Sequence, residues 1–389
     1  MKRSYFKHDK DDKGLIYAVG FVLTFGLVMI YNSTAVYSHD VFGGAYKFVF
    51  LQLIWIILGS IGFWFFYNFD YKYLSKFALP VFIISMVFLG MVAVAGILPC
   101  SMNIPFVPCI NGANRWFYLN PDPLPRIPFL GVLGFQPSEF AKLAMIIILA
   151  VIFSKVTLLN KNDWDWFYKY LIYCISVSVL IILQPNMSTA VLVATIGTII
   201  YVSSGAFLKP LLVSSPIVVL LGVSAMLLSP YRRDRFMSFL SSDPAQAEGA
   251  SYHVKQILIA LGSGGIFGVG FGQSRQKYQY LPEVSADSIF AIIGEELGFI
   301  GTTLVILVFL YIFYKGFKIA VKARDSFGRL LAIGIISWLG FQFFVNIAAM
   351  TKLIPLTGVP LPLVSYGGSS TLFMLVSLGI LANIGRNSS

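Results

Sequence analysis

Ten mostly apolar stretches of roughly 17 to 29 residues follow one another along the chain, each long enough to cross a hydrocarbon layer as a helix. They fall at about 15–36, 47–67, 74–97, 138–154, 166–183, 187–204, 209–229, 286–314, 329–350 and 367–385. Only 12% of the 389 residues are charged and the mean hydropathy is +0.80, which excludes a water-soluble globule, where about a quarter of residues are charged. The expected fold is an all-α membrane protein of ten transmembrane helices, a single polytopic domain over 15–385 between a cytoplasmic tail, 1–14, and a cytoplasmic end, 386–389. The charged tail precedes an apolar run too long for a signal peptide and without a small-residue cleavage site.

Orientation follows from the basic residues of the short connections. With the N-terminus inside, 17 of the 28 Lys and Arg residues fall on cytoplasmic segments, and most of the rest lie in two long loops, 98–137 and 230–285, placed outside. The formal charge of +11 does not point to nucleic acid, because no Lys/Arg run is interleaved with stacking aromatics on a soluble module. Anionic lipid or a lipid-linked phosphate is the expected partner. Within 230–285, the segment 254–272 (VKQILIALGSGGIFGVGFG) is apolar enough to span but carries six glycines in its second half. That density disfavours a regular helix and suggests a re-entrant or interfacial piece.

Cys174 falls inside a span, whereas Cys100 and Cys109 flank a proline-containing loop. They can pair if that loop faces an oxidising compartment, but spacing alone does not fix the geometry, and free thiols are the first expectation. His8, His39 and His253 are too scattered to suggest a zinc site. The chain has no GxxxxGK[ST] phosphate loop, so no nucleotide is expected.

The chemistry concentrates at 278–298, YQYLPEVSADSIFAIIGEELG, where a polar loop holding Glu283 and Asp287 runs into the eighth span. An acid at the lip of a membrane helix is costly to desolvate and marks a functional site by default. Extrapolating a regular helix at 100° per residue places Ala291, Gly294, Gly298 and Gly301 on the Asp287 face, either for close helix packing or as a groove for a lipid tail. Glu295 and Glu296 lie about 12–14 Å deeper. They can be structural pairs or participants in catalysis or conformational change.

At the start of the fourth span, FQPSEFAKL places Pro137 in the first helical turn with Gln136 or Ser138 as cap, and sets Glu139 and Lys142 on one face. The pair is a helix-start ion pair, or Lys142 reaches an outer cavity to attract a pyrophosphate or to pair with Asp287. Arg232, Arg233, Arg235, Lys255, Arg275 and Lys277 make the large outer loop basic, as a solvated surface or as a phosphate-binding one. The connection 353–370, LIPLTGVPLPLVSYGGSS, is shaped by three prolines. Its Ser365, Tyr366, Ser369 and Ser370 can bind a sugar or head group, although a helix cap is the simpler expectation for the serines.

The series GANRWF (112–117), QPSEFAKL, SGGIFGVGFGQSRQKYQYLPE, DSIFAIIGEELGFIG and PLTGVPLPLVSYGGSS, in this order from the first span to the last, resembles the SEDS family of shape, elongation, division and sporulation proteins. The wording GQSRQKYQYLPE is closer to the division branch than to the elongation branch. The resemblance implies a peptidoglycan glycosyltransferase that polymerises lipid II at the outer face of the cytoplasmic membrane, releasing undecaprenyl diphosphate. It implies Asp287 as the essential acid and Lys142 as the cavity lysine. Arg115, Arg235, Lys277, Glu283, Ser365, Tyr366 and Ser369 are then substrate-binding candidates, with Glu139, Glu295 and Glu296 in support. It also implies a Mg²⁺ or Mn²⁺ ion at the diphosphate, a class B penicillin-binding transpeptidase and divisome proteins as partners. Two departures stand out: Ala286-Asp287-Ser288 replaces the usual TDF, and Asn186 stands where an acid is usual. A transporter of lipid-linked precursor, the alternative, needs polar groups across the bilayer, and no comparable series continues beyond Glu295 and Glu296. A scaffold without catalysis would tolerate loss of Asp287.

Overall fold

The computed structural model describes residues 10–388 except 101, 103, 111, 122–123, 126–132, 158–159, 161–163, 228–229, 241–249 and 279–283. Backbone groups in lipid must satisfy one another, and the apolar runs do so as helices. In chain order these are α1 (Lys10–Phe42), α2 (Lys47–Asn68), α3 (Leu74–Ile97), α4 (Pro137–Phe153), α5 (Trp164–Leu183), α6 (Met187–Ser203), α7 (Lys209–Leu227), α8 (Pro230–Leu240), α9 (Ala250–Gly264), α10 (Ile289–Lys322), α11 (Ser326–Met350) and α12 (Gly368–Ser388). Seven of them, α1, α2, α3, α5, α10, α11 and α12, are long and apolar enough to cross a membrane; α6 and α7 contain shorter apolar helical stretches.

Burial separates an inner from an outer set. Nearly every side chain of α4 is buried, and α11 and α12 are buried over most of their length. In α2 only Gln52 and Gly59 are buried, and Leu53, Ile57, Ile61 and Trp64 face outward. A helix that is apolar all round can afford that only against lipid. Its one buried polar side chain is a fastener: Gln52 donates to Thr371 Oγ1 at 2.9 Å and accepts from the Gly367 N–H at 3.2 Å.

The region 98–137 is closed by short pairings. Strand β1 (Cys109–Ile110) runs antiparallel to β2 (Ala113–Asn114), and β3 (Phe117–Tyr118) to β4 (Gly134–Phe135). Cys100 and Cys109 are joined in a disulfide with their Cα atoms 5.5 Å apart, so the expectation of free thiols is corrected: the turn into β1 folds the chain back within bonding reach. Cys174 is a buried free thiol.

Two further expectations change. The stretch 230–285 contains the helices α8 and α9, and the first half of the glycine-rich segment is helical to Gly264. Its glycines cluster beyond the helix end, where Gly265, Gly268, Gly270 and Gly272 adopt positive φ, so they do not weaken the helix before them. The helix α10 is interrupted at Gly298, where φ is 65° and ψ −162°. The glycine segment fills that break: Val269 and Gly270 N–H donate to the Glu295 and Glu296 carbonyls, and Phe299 and Ile300 N–H donate back to Gly265 and Ile266. A Cβ on Gly298 would sit 2.3 Å from the Gly268 nitrogen.

Candidate active site

Asp287 precedes α10 in a turn that ends at Ser288, and its side chain is 8% exposed. Its backbone carbonyl accepts from Asn346 Nδ2 of α11 at 2.8 Å, and the same amide group donates to the Val359 carbonyl at 2.8 Å. One turn earlier on the same face of α11, Gln342 Nε2 donates to the Pro360 carbonyl at 3.2 Å, while Gln342 Oε1 accepts from Trp338 Nε1 at 2.9 Å and Lys142 Nζ at 3.4 Å. Two amides four residues apart, about 6 Å along the axis, thus pin the proline-rich connection between Asp287 and Lys142. Neither amide was singled out in the sequence, although buried polar residues spaced i, i+4 in an apolar span carry that signal.

The carboxylate of Asp287 meets groups from other elements. Gly358 has φ +68°, and a Cβ there would lie 3.8 Å from both Asp287 Oδ2 and Arg235 Nη1. The positive φ, rather than any clash, is what favours glycine there. Arg235, on α8, also donates to the Leu356 carbonyl at 3.2 Å. Ser288 Oγ donates to Asp287 Oδ1 at 3.4 Å and lies 2.8 Å from His253 Nε2 of α9. Burial, with Arg235 adding to it, pushes His253 down to about 4, so the ring is neutral near pH 7. Nothing in the sequence ties His253 to Asp287; only the packing of α9 on α10 shows its position.

Lys142, 2% exposed, takes Glu139 as its carboxylate partner at 2.8 Å rather than Asp287, and lies over the Trp338 ring at 4.7 Å. Glu139 Oε2 and Ser138 Oγ are buried without a hydrogen-bond partner, and Gln136 occupies the N-cap position of α4 without a side-chain cap bond. The expected cap by Ser138 or Gln136 is therefore not formed; Pro137 in the first turn removes one donor that a cap would serve.

Lys277, expected among the substrate-binding candidates, is held in a buried network. It is buried, and its Nζ donates to Glu296 Oε1 at 3.2 Å, Asn32 Oδ1 at 2.9 Å and the Gly272 carbonyl at 2.6 Å. Glu296 accepts further from Asn32 Nδ2 and from the Gly272 and Ser274 N–H groups at 3.0 and 3.2 Å. Glu295 accepts from Ser274 Oγ at 2.5 Å and Arg275 N–H at 3.0 Å. Of the readings open for the two glutamates, this favours structural pairing: they fasten the 272–277 turn to α10 beside its break at Gly298. The small-residue stripe is also a packing surface, since a Cβ on Gly294 would sit 2.4 Å from Leu261, and the break at Gly298 ends the regular face extrapolated from Asp287.

The other candidates disperse. Arg115 donates to the Gln184 and Pro185 carbonyls at 3.3 and 2.7 Å, tying the loop after β2 to the end of α5. Ser365 Oγ accepts from Leu361 N–H at 2.8 Å, and Ser369 Oγ from Gln136 N–H at 3.0 Å. Those bonds close the turn before α12 and join α12 to the head of α4; neither is the cap expected of them. Tyr366 stacks edge-on against Phe48 at 5.3 Å and its N–H donates to the Ser285 carbonyl at 2.8 Å. Glu283 lies outside the described residues. Among the described residues no group of three or more His, Cys, Asp and Glu side chains is placed to hold a metal ion.

The family model of FtsW, RodA and SpoVE, described as cell cycle protein, matches residues 13–389. The chain belongs to this family. It is 36% identical to stage V sporulation protein E of Bacillus subtilis (strain 168), over 98% of this chain and 99% of that protein. It is also 36% identical to the probable peptidoglycan glycosyltransferase FtsW of the same organism, over 96% of this chain and 90% of the relative. A chain from a solved peptidoglycan synthase complex, described as coordinating polymerization and crosslinking, superposes with TM-score 0.76 at 25% identity, covering 98% of this chain and 99% of that one. The rod shape determining protein RodA of Thermus thermophilus shares the fold, with TM-score 0.68 at 23% identity over 98% of each chain.

Proposed function

We propose that the protein is a membrane glycosyltransferase that polymerises lipid II into glycan strands for cell division. The observation that carries the reading is the convergence of α8, α9, α11 and the proline-rich connection on one turn, Asp287–Ser288, in a chain of this family. Sporulation and division relatives match at equal identity, so the shared chemistry is better supported than the cellular occasion. Ten spans are assigned by adding α4, α6 and α7 to the seven long helices. The distribution of basic connections supports both termini in the cytoplasm and the Asp287 mouth outside. A disulfide in the 98–137 loop fits that side, because such bonds persist in oxidising compartments.

In the reaction, Asp287 accepts the proton of the acceptor sugar's 4-hydroxyl as its oxygen attacks the donor's anomeric carbon. The new glycosidic bond forms while the bond to the diphosphate breaks, and the electron pair leaves on undecaprenyl diphosphate. Arg235, beside Asp287, is the described cation best placed to stabilise that charge. Lys142 and Glu139 hold the adjoining wall through Gln342. A class B penicillin-binding transpeptidase would receive the strand, and divisome proteins would place the pair.

The test is polymerisation of purified lipid II by the protein copurified with its transpeptidase, with and without Mg²⁺ or Mn²⁺. Polymer from the wild type is expected. Absence of polymer from an intact complex at every metal condition would instead favour transport or scaffolding. Orientation is checked separately: a membrane-impermeant maleimide should label Cys100 and Cys109 in intact cells after mild reduction, and labelling only after lysis would invert the topology.

A further inference from the structure

The mechanism uses Asp287 but leaves unexplained the half-buried imidazole behind it. His253 projects from α9 to Ser288, and Ser288 Oγ in turn reaches Asp287 Oδ1, giving bonds of 2.8 and 3.4 Å in series. Ser288 is fully buried. The serine has one proton, so if it donates to the carboxylate it must accept from the ring, which fixes the proton of the neutral imidazole on Nε2. The chain of donors then runs in one direction, from imidazole to hydroxyl to carboxylate. It engages Oδ1 and leaves Oδ2 on the side of Gly358 and Arg235. Hydrogen bonds to the charged form of a carboxylate favour that form. Among the described residues the groups facing the ring include Ser288 and, through it, Asp287 at the head of α10, with Arg235 from α8; α11 contributes the neutral Asn346 to the Asp287 backbone.

From this geometry we infer that His253 is a positioning residue for glycosyl transfer, acting through Ser288 to hold Asp287 ionised with Oδ2 turned to the substrate. The inference rests on Asp287 being the base. With its basicity lowered by burial, the ring is a poor proton acceptor and its task is to orient rather than to relay.

The experiment measures lipid II polymerisation by the complex with its transpeptidase from pH 5.5 to 8.5 for His253→Ala, His253→Gln, Ser288→Ala and the double Ala variant, each checked for wild-type elution and melting. His253→Ala and Ser288→Ala should each lower kcat about tenfold with KM little changed. Each should move the acidic limb of the pH profile upward by roughly half a unit to one unit. His253→Gln, which keeps a donor, should recover most of the rate, and the double variant should be no slower than Ser288→Ala alone. If His253→Ala does not fold, His253→Met against His253→Gln makes the same comparison, with the loss expected only in Met. A wild-type rate and limb without the imidazole, or losses that multiply to about a hundredfold in the double variant, would overturn the inference. Asp287→Asn in the same preparation separates the two claims: if it polymerises normally the base assignment fails. If it is inactive while His253→Ala is normal, only the role of His253 fails.

Discussion

Two acidic places lie within ten residues of one another, and the fold treats them differently. Glu295 and Glu296 take their donors from Asn32 and from one contiguous turn, 272–277, with Lys277 supplying the opposite charge. Asp287 is approached from α8, α9, α11 and the connection before α12, parts of the chain far apart in sequence. A buried charge saturated by donors and paired with an opposite charge is a fastener. One on which distant elements converge at the end of a helix has the arrangement expected of a site.

The largest expected effect on stability lies at the fastener. Glu296→Ala leaves Lys277 buried without its carboxylate and should cost about 3–5 kcal/mol, read from thermal unfolding in detergent. A melting point unchanged from wild type would mean that the glutamate pair does not hold the turn. Next is Gly298→Ala, which places a side chain in a backbone region open essentially to glycine and against the Gly268 nitrogen; a loss of about 3 kcal/mol is expected by the same measurement.

The smallest effect belongs to the mouth and depends on pH. His253 is depressed to about 4 in the fold against 6.5 unfolded, so the unfolded chain binds more protons between those values. The stability this neutral ring contributes is complete above pH 6.5 and is lost as pH falls towards 4, by about 2 kcal/mol after allowing for its partial exposure. Replacing His253 with Gln should flatten that part of the curve of melting temperature against pH, whereas an unchanged slope would assign the dependence to other groups.

Much of this was legible in the sequence, because length and apolarity alone decide which segments can cross a bilayer. The helix positions follow from that, as does the prominence of Asp287 at the head of α10. What was not legible required knowing which elements touch. Lys277 read as a loop cation because its partner Asn32 is 245 residues away. Gly298 read as one point on a smooth stripe because a helix was extended through it, while the glycine segment that fills its break lies about thirty residues earlier. His253 and Asn346 acquire meaning only once α9 and α11 close over the turn that carries Asp287.

The most direct test of the contrast measures lipid II turnover and melting temperature on the same two variants, Asp287→Asn and Glu296→Gln, in complex with the transpeptidase. Asp287→Asn should melt like the wild type and lose on the order of 10²–10⁴ in turnover, the range supplied by a general base. Glu296→Gln should melt lower and, at a temperature where it stays folded, retain most of its turnover. Normal turnover from Asp287→Asn, or a folded Glu296→Gln as inactive as an enzyme without its base, would contradict the division between site and fastener.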